Sequence, residues 1–307
     1  MSSDSGEVPP FGTPSLFNKP LLEAYGWKMR PFPGVKDQVA HVEATRKLRI
    51  RDDDVLVAAF PKCGTHWLWE VTQMLLRQTT DYEKRTKEQV MLESPGGLER
   101  AEQEPSPRIL NSHYPFVHLP QEIISKKTKI IHVIRNPKDT AVSMFWHTQT
   151  IFNAKDLQFQ DLLDAVMGKS QLPTQFDYLQ QMSEFERTHT DHPIKHIYYE
   201  DMKKEPVKII KDLAQFLNVP SSDEFCQDVA NACSFDKMKK IEETGAKDFP
   251  KELNDAITGA GGSLKFYRKG IIGDWKNMFT VAQNETFDAF IDSCIKTKGL
   301  NYAFIFE

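Results

Sequence analysis

Val55-Leu-Val-Ala-Ala-Phe-Pro-Lys-Cys-Gly-Thr-His-Trp67 is the stretch on which the reading of this chain turns. Its first six residues, Val55 to Phe60, are apolar and of strand-like composition, and Pro61 ends the run abruptly. Lys62, Gly64 and Thr65 follow, and Trp67 opens a segment whose apolar residues return at three- and four-residue steps as far as Arg77. A strand, a tight loop with lysine and glycine, and then a helix make a geometry that holds a phosphate. The helix start offers unpaired backbone N–H groups and a partial positive charge, glycine lets the backbone approach closely, and lysine adds a full charge. The G-x-x-x-x-G-K-[ST] nucleotide loop is not matched, since no glycine precedes Lys62 in the run. The expectation is phosphate binding by P-loop physics without an ordinary ATP or GTP loop.

Length and composition bound the rest. The 307 residues suffice for one large α/β domain or two small ones, and 40% hydrophobic content is ample for a core. A formal charge of −4 provides no basic field, so nucleic acid is not expected as a partner and any anion site must be local. No apolar run approaches the roughly 18 residues of a membrane span. The opening Met-Ser-Ser-Asp-Ser-Gly-Glu lacks the charge and apolar stretch of a signal peptide. Four cysteines (Cys63, Cys226, Cys233 and Cys294) contain no C-x-x-C pair and read as free thiols, so a cytoplasmic location is expected.

Residues 1–18 are rich in Ser, Pro and Gly and read as a flexible tail ahead of a domain over 19–307. Strands are predicted at Val55–Phe60, Ile109–Ser112, Lys129–Ile134 and Ile194–Tyr199. Helical patterns at Trp67–Arg77, Pro137–His147, Phe159–Met167, Gln175–Glu186 and Val207–Leu217 separate them. This alternation predicts an α/β domain with a central, mostly parallel sheet flanked by helices on both faces. Ligands of such folds sit beyond the carboxyl ends of the strands, which gathers loops 61–66, 113–118, 135–139 and 199–203 around one site. The glycine-bearing stretch 243–265 reads as a mobile, lid-like loop.

Two further motifs bear on the anion. Ile130-Ile-His-Val-Ile-Arg135-Asn-Pro-Lys-Asp139-Thr-Ala-Val-Ser143 is again strand, turn and helix. An arginine fork at the strand end with a hydroxyl in the helix can hold a second phosphate. The plain alternative is an exposed Arg135–Asp139 ion pair of small energetic weight. Phe266-Tyr-Arg268-Lys269-Gly270-Ile-Ile-Gly-Asp-Trp275 sets two cations before a glycine at the end of the proposed lid.

In this order and spacing the three motifs resemble those of the cytosolic sulfotransferases, a likeness running from about residue 45 to 300. The resemblance implies sulfuryl transfer from 3′-phosphoadenosine 5′-phosphosulfate (PAPS), leaving PAP, to a hydroxyl or amine of a small hydrophobic acceptor, without a metal. It implies that Lys62, Cys63, Gly64, Thr65, His66 and Trp67 hold the 5′-phosphosulfate end. Arg135, Ser143, Arg268, Lys269 and Gly270 are the implied 3′-phosphate clamp, and Tyr199, Ser234 and Phe235 the adenine contacts. His113, in Asn111-Ser112-His113-Tyr-Pro, is the implied general base, with Lys62 and Ser143 as its catalytic companions. Phe116, Phe145, Trp146, His147 and Phe152 are the expected acceptor pocket. Lys276, Thr280, Val281 and Glu285 match the family's K-x-x-x-T-V-x-x-x-E dimer segment, and also read as a helix cap at Thr280.

Some positions depart from the family pattern. Asn111 stands where a lysine is usual, so either weaker charge stabilisation or a compensating group is expected. Cys63 replaces a serine, and two readings stand beside each other: a thiol with a pKa lowered by the helix start and Lys62, open to oxidation, and, somewhat favoured, an inert thiol covered by the cofactor. Two other classes stay open on sequence grounds: a P-loop phosphotransferase, and a binder of PAPS or lipophiles without turnover.

Overall fold

The computed structural model describes residues 21–307, so the expected 1–18 tail lies outside the described residues. Four strands form the central sheet: β3 (Val55–Ala59), β4 (Ile109–Ser112), β5 (Lys129–Ile134) and β6 (Ile194–Tyr198). Their order is β4-β3-β5-β6 and every pairing is parallel, with Val57 opposite Asn111 on one side and Ile131 on the other. Strand β3 is buried along its whole length, as a parallel strand covered on both faces requires, and this explains its unbroken apolar run.

The flanking helices follow their sequence periodicity. Thr65–Arg77 buries Leu68, Val71, Met74 and Leu75, and Pro206–Leu217 buries Ile210, Leu213, Ala214 and Leu217, each set one face at three- and four-residue steps. Pro137–Ile151 starts on Asn136, whose side chain accepts from the Asp139 N–H, with proline in the first turn. The expected helix Phe159–Met167 is α-helical only to Asp164, and a π turn carries it to Lys169.

A small antiparallel hairpin, β1 (Leu22–Ala24) with β2 (Trp27–Met29), precedes the sheet. The stretch 243–265 is not a structureless loop. Lys251–Gly259 is a helix, and its Leu253 and Ile257 pack with Ile151, Phe152 and Phe266. These two residues are one helical turn apart and give the segment a buried face that its glycines disguise.

From β3 the chain moves to β4 on one side, and from β5 to β6 on the other. The connections therefore leave β3 and β5 in opposite directions, and the crevice at their carboxyl ends is the topological switch point where such sheets bind ligands.

Candidate active site

The loops after β3 and β5 meet at this switch point. Lys62 has φ 70° and Gly64 φ 108°, so two of three consecutive residues are left-handed and their N–H groups can turn toward a common concavity. A left-handed lysine costs on the order of 1–3 kcal/mol and persists only where its surroundings fix it. A Cβ at Gly64 would lie 2.6 Å from Tyr199 Cδ2, so only glycine lets that ring close over the loop.

Arg135 leaves the end of β5 and donates from Nη1 to the Lys62 carbonyl at 3.0 Å, with its guanidinium 4.2 Å over the Tyr199 ring. Its buried Nε has no hydrogen-bond partner among the described residues, a donor in need of an acceptor. The alternative pairing with Asp139 is not formed. Asp139 accepts instead from the N–H groups of Gly273 (2.7 Å) and Trp275 (2.9 Å), tying the carboxy-terminal motif to the start of the Pro137 helix.

That motif brings two more cations to the wall. Asp274 is buried and accepts from Arg268 Nη2 at 2.5 Å and Lys269 Nζ at 2.8 Å. Burial pushes the Asp274 carboxyl up, but hydrogen bonds from Lys269, Asn277 and Arg268 outweigh it and hold the group at about 2. Gly270 has φ 64°, and a Cβ there would meet Phe235 Cδ2 at 2.1 Å.

These groups border one cavity of about 470 Å³. Lys62, Gly64, Thr65, His66, Trp67, His113, Arg135, Ser143, Tyr199, Phe235, Arg268, Lys269 and Gly270, all expected at the site, line it. Cys63 and Ser234 do not. Ser234 immediately precedes the helix that presents Phe235. Cys63 is turned inward, its Sγ 4.0 Å from Thr140 Oγ1. Burial raises its thiol to about 12, against the lowered pKa that the helix start suggested. Desolvation wins over the neighbouring Arg135, which favours the protonated thiol.

His113 sits just past β4. Its Nδ1 lies 2.8 Å from the Ala59 carbonyl, which can only accept, so Nδ1 carries the proton and Nε2 keeps its lone pair. Glu93 accepts from the His113 backbone N–H at 2.5 Å and from Ser112 Oγ at 2.8 Å, fixing the strand end. Burial first and the Lys87 ammonium second hold His113 down to about 3. Lys62 Nζ lies 3.2 Å from His147 Nδ1, and burial, then Lys87 and Arg135, push this amine down to about 7. His66 Nε2 is 2.9 Å from Glu88 Oε1, and burial keeps the ring neutral to about 4.

The acceptor side needs correction. His147 and Phe152 line the cavity, but Phe116, Phe145 and Trp146 do not. On the Pro137–Ile151 helix, Ser143, Met144, His147 and Ile151 share the cavity face. At about 100° per residue, positions 145 and 146 are carried off it. Phe145 packs with Ala154, Leu157 and Leu162, Trp146 is exposed, and Phe116 stacks on Phe185 at 4.2 Å. Residues that sequence reasoning missed include Lys87, Glu88 and Glu93, which line the cavity although Thr-Lys-Glu-Gln reads as a solvated turn.

Residues 52–299 match the family model described as the sulfotransferase domain. Mouse sulfotransferase 1A1 is 32% identical over 88% of this chain and 92% of its own length. Dog sulfotransferase 1B1 is 32% identical over 80% of this chain and 84% of its own. A crystal structure of mouse sulfotransferase SULT7A1 complexed with PAP superposes with a TM-score of 0.70 at 26% identity, covering 90% of this chain and 95% of that one. The fold and the phosphate-binding loops define a sulfotransferase. This chain belongs to the sulfotransferase family, and it is an enzyme of the transferase class.

Proposed function

We propose that this protein transfers the sulfuryl group of PAPS to a hydroxyl or amine of a small hydrophobic acceptor such as a phenol, alcohol or sterol. One observation carries the reading: His113 presents an unprotonated Nε2 to the same cavity in which Lys62, Arg135, Arg268 and Lys269 stand. The residues fit the cosubstrate. Gly64 and Gly270 let the Tyr199 and Phe235 rings pack against the loops at the cavity wall, and Arg135 Nε is a buried donor without a partner among the described residues. Lys62, Gly64, Thr65 and His66 would hold the 5′ end, with Arg135, Ser143, Arg268 and Lys269 at the 3′-phosphate and Trp67, Tyr199 and Phe235 at adenine.

PAPS supplies an activated sulfur whose bond to the bridging phosphate oxygen breaks as a bond to the acceptor oxygen or nitrogen forms. His113 Nε2 takes the acceptor's proton, and the Ala59 carbonyl holds the ring in the tautomer that can do so. Lys62 places positive charge where the leaving phosphate oxygen gains negative charge, an effect of about 3 kcal/mol for one well-placed donor. Anionic groups beside Lys62 and Lys87 oppose the cations that depress His113 and so raise its proton affinity. The apolar part of the wall, with Trp27, Phe32, Leu253 and Ile257, suits a hydrophobic acceptor body.

The test is transfer of label from 35S-PAPS, in the presence of a chelator, to a panel of phenols, alcohols and amines. Sulfated product is expected from at least one class. Tight PAP binding without product from any of them would favour a binder without turnover. A requirement for Mg²⁺ would favour a phosphotransferase.

We also propose a homodimer through Lys276–Glu285 and a cytoplasmic location. Among the described residues no helix is long and apolar enough to cross a membrane. Thr280 caps the helix Val281–Lys298 with Gln283 in a reciprocal capping box, so its hydroxyl is engaged locally. Val281 beside it is 76% exposed, an apolar side chain left for a twofold mate. Val281→Asp is expected to convert a dimer to monomers at micromolar concentration in sedimentation velocity. An unchanged sedimentation coefficient would place the interface elsewhere.

A further inference from the structure

We propose that Lys87 binds the sulfuryl group itself, as a second cation on the acceptor side of the transferring sulfur, opposite Lys62. The inference rests on the sulfuryl-transfer reading above. Lys87 opens a single 3-10 turn, Lys87–Gln89, and its side chain is 2% exposed. Its Nζ lies 3.3 Å from Glu88 Oε1 and 3.9 Å from Met91 Sδ. Glu88, whose carboxyl is held well below its usual range, also lies 2.9 Å from the neutral His66 ring. The Lys87 ammonium has three N–H donors, and its partners among the described residues are this one carboxylate oxygen and the weak acceptor Met91, so donor capacity is left over for an anion in the cavity.

Glu88 joins Lys87 (3.3 Å) to His66 (2.9 Å), and Lys87, Glu88 and His66 line the same cavity as Lys62 and His113. In keeping with that placement, Lys87 is, after burial, the largest influence depressing both Lys62 and His113, and it also acts on His66 and His147. Two lysines repelling one another in a low-dielectric cavity are costly unless an anion stands between them. The group that must stand between the base and the leaving oxygen is the sulfuryl. An acidic substituent on the acceptor has other cations to meet, since Lys28 and Arg30 line the wall with Trp27 and Phe32.

Asn111 does not compete for this role. Its amide is fully buried, does not line the cavity, and has neither donor nor acceptor satisfied among the described residues. The cation at the reacting centre thus comes from a different segment, between the helix Thr65–Arg77 and β4, rather than from β4 itself.

The experiment compares PAPS and PAP, which differ only in the sulfuryl group, on the wild-type protein, Lys87→Met, Lys87→Gln and Lys87→Arg. Calorimetric titration should show PAPS weakened about tenfold or more by Lys87→Met and Lys87→Gln, with PAP unchanged within twofold. Single-turnover rates should fall about 100-fold with little change in acceptor KM, and Lys87→Arg should recover much of both. The His113 imidazole, followed by NMR in PAP-saturated protein, should titrate at higher pH once Lys87 is gone. The PAPS-to-PAP affinity ratio is taken within each variant, so a loss of folded protein does not mimic the effect.

Equal weakening of PAPS and PAP would reduce Lys87 to a structural role and overturn the proposal. So would a loss confined to the KM of carboxylated acceptors, which would make Lys87 an acceptor-binding residue. Failure of the wild-type protein to transfer label at all would instead refute the sulfuryl-transfer reading. A PAPS-to-PAP ratio that Lys87→Met and Lys87→Gln leave at its wild-type value, when the wild-type protein does turn over, would refute only the role given to Lys87.

Discussion

His113→Asn is expected to lower kcat by about 10²- to 10⁴-fold, the range for loss of a general base, while PAP affinity stays within a few-fold. Asparagine is chosen because its side-chain N–H₂ can take over the Nδ1 hydrogen bond to the Ala59 carbonyl, so the loop after β4 keeps its anchor. What is lost is the basic nitrogen. Glu93 still accepts from the backbone N–H at 113, and the cavity wall keeps its shape. The variant therefore separates proton transfer from architecture, which His113→Ala would not do. With His113 held down to about 3, the wild-type base stays unprotonated from pH 5 to 9, so the fall in rate should be of similar size across that range. Single-turnover kinetics at saturating PAPS, run from pH 5 to 9, measures it. A rate within tenfold of wild type would assign the proton to another group, and His147, 3.2 Å from Lys62 Nζ, would be the first to examine.

The parts of this site that were legible in the sequence are those whose geometry is local. Val55–Ala59 with Lys62 and Gly64, and Lys129–Ile134 with Arg135, are each a strand, a turn and a helix start. Such a unit is specified by propensity and by where glycine and proline fall. The alternation of strands and helices gave the parallel sheet for the same reason, and the switch point followed from that. The acceptor wall was illegible because it depends on helical phase. A run of four residues from Phe145 to Thr148 contains one that faces the cavity, and only the packed helix decides which. Lys87 was illegible for a different reason. A lysine between threonine and glutamate on a short turn belongs to solvent by every local rule, and only the tertiary fold buries it in the wall of the cavity that His113 lines. Of the two readings of Cys63, burial favours the covered, protonated thiol: the helix start, which lowers a thiol, can be read from sequence, whereas the burial that raises it cannot.

The same burial predicts how the protein meets acid. His66, His113, His132 and His147 are all held neutral below the ordinary imidazole range, chiefly by burial, with His66 at about 4 and His113 at about 3. Above pH 7 each ring is neutral in both the folded and unfolded chain, and contributes nothing to pH dependence. As pH falls through the unfolded value near 6.5, the unfolded chain takes up protons that the folded one refuses. Stability therefore declines on the acid side of neutrality, by up to about 1.4 kcal/mol per pH unit for each ring, until the folded values are reached. At pH 5 a single such ring costs about 2 kcal/mol, and four together approach the whole stability of an ordinary domain. Carboxylates with lowered pKa, Glu88 and Asp274, do not offset this, because their stabilising effect is already complete above the unfolded carboxylate range and is lost only below it. Glu70, Glu93, Glu200 and Glu242, raised by burial, bind protons more readily in the folded chain and oppose part of this loss. Urea denaturation should accordingly show a midpoint that drops between pH 6.5 and 5 where the four histidines outweigh them. His147→Gln, which leaves His66, His113 and His132 in place, should shallow that slope by about one proton's worth. A midpoint that stays level from pH 7 to 5 would mean that the folded protein accepts protons on these rings, and with them a charge that the cavity, already holding Lys62 and Lys87, is built to resist.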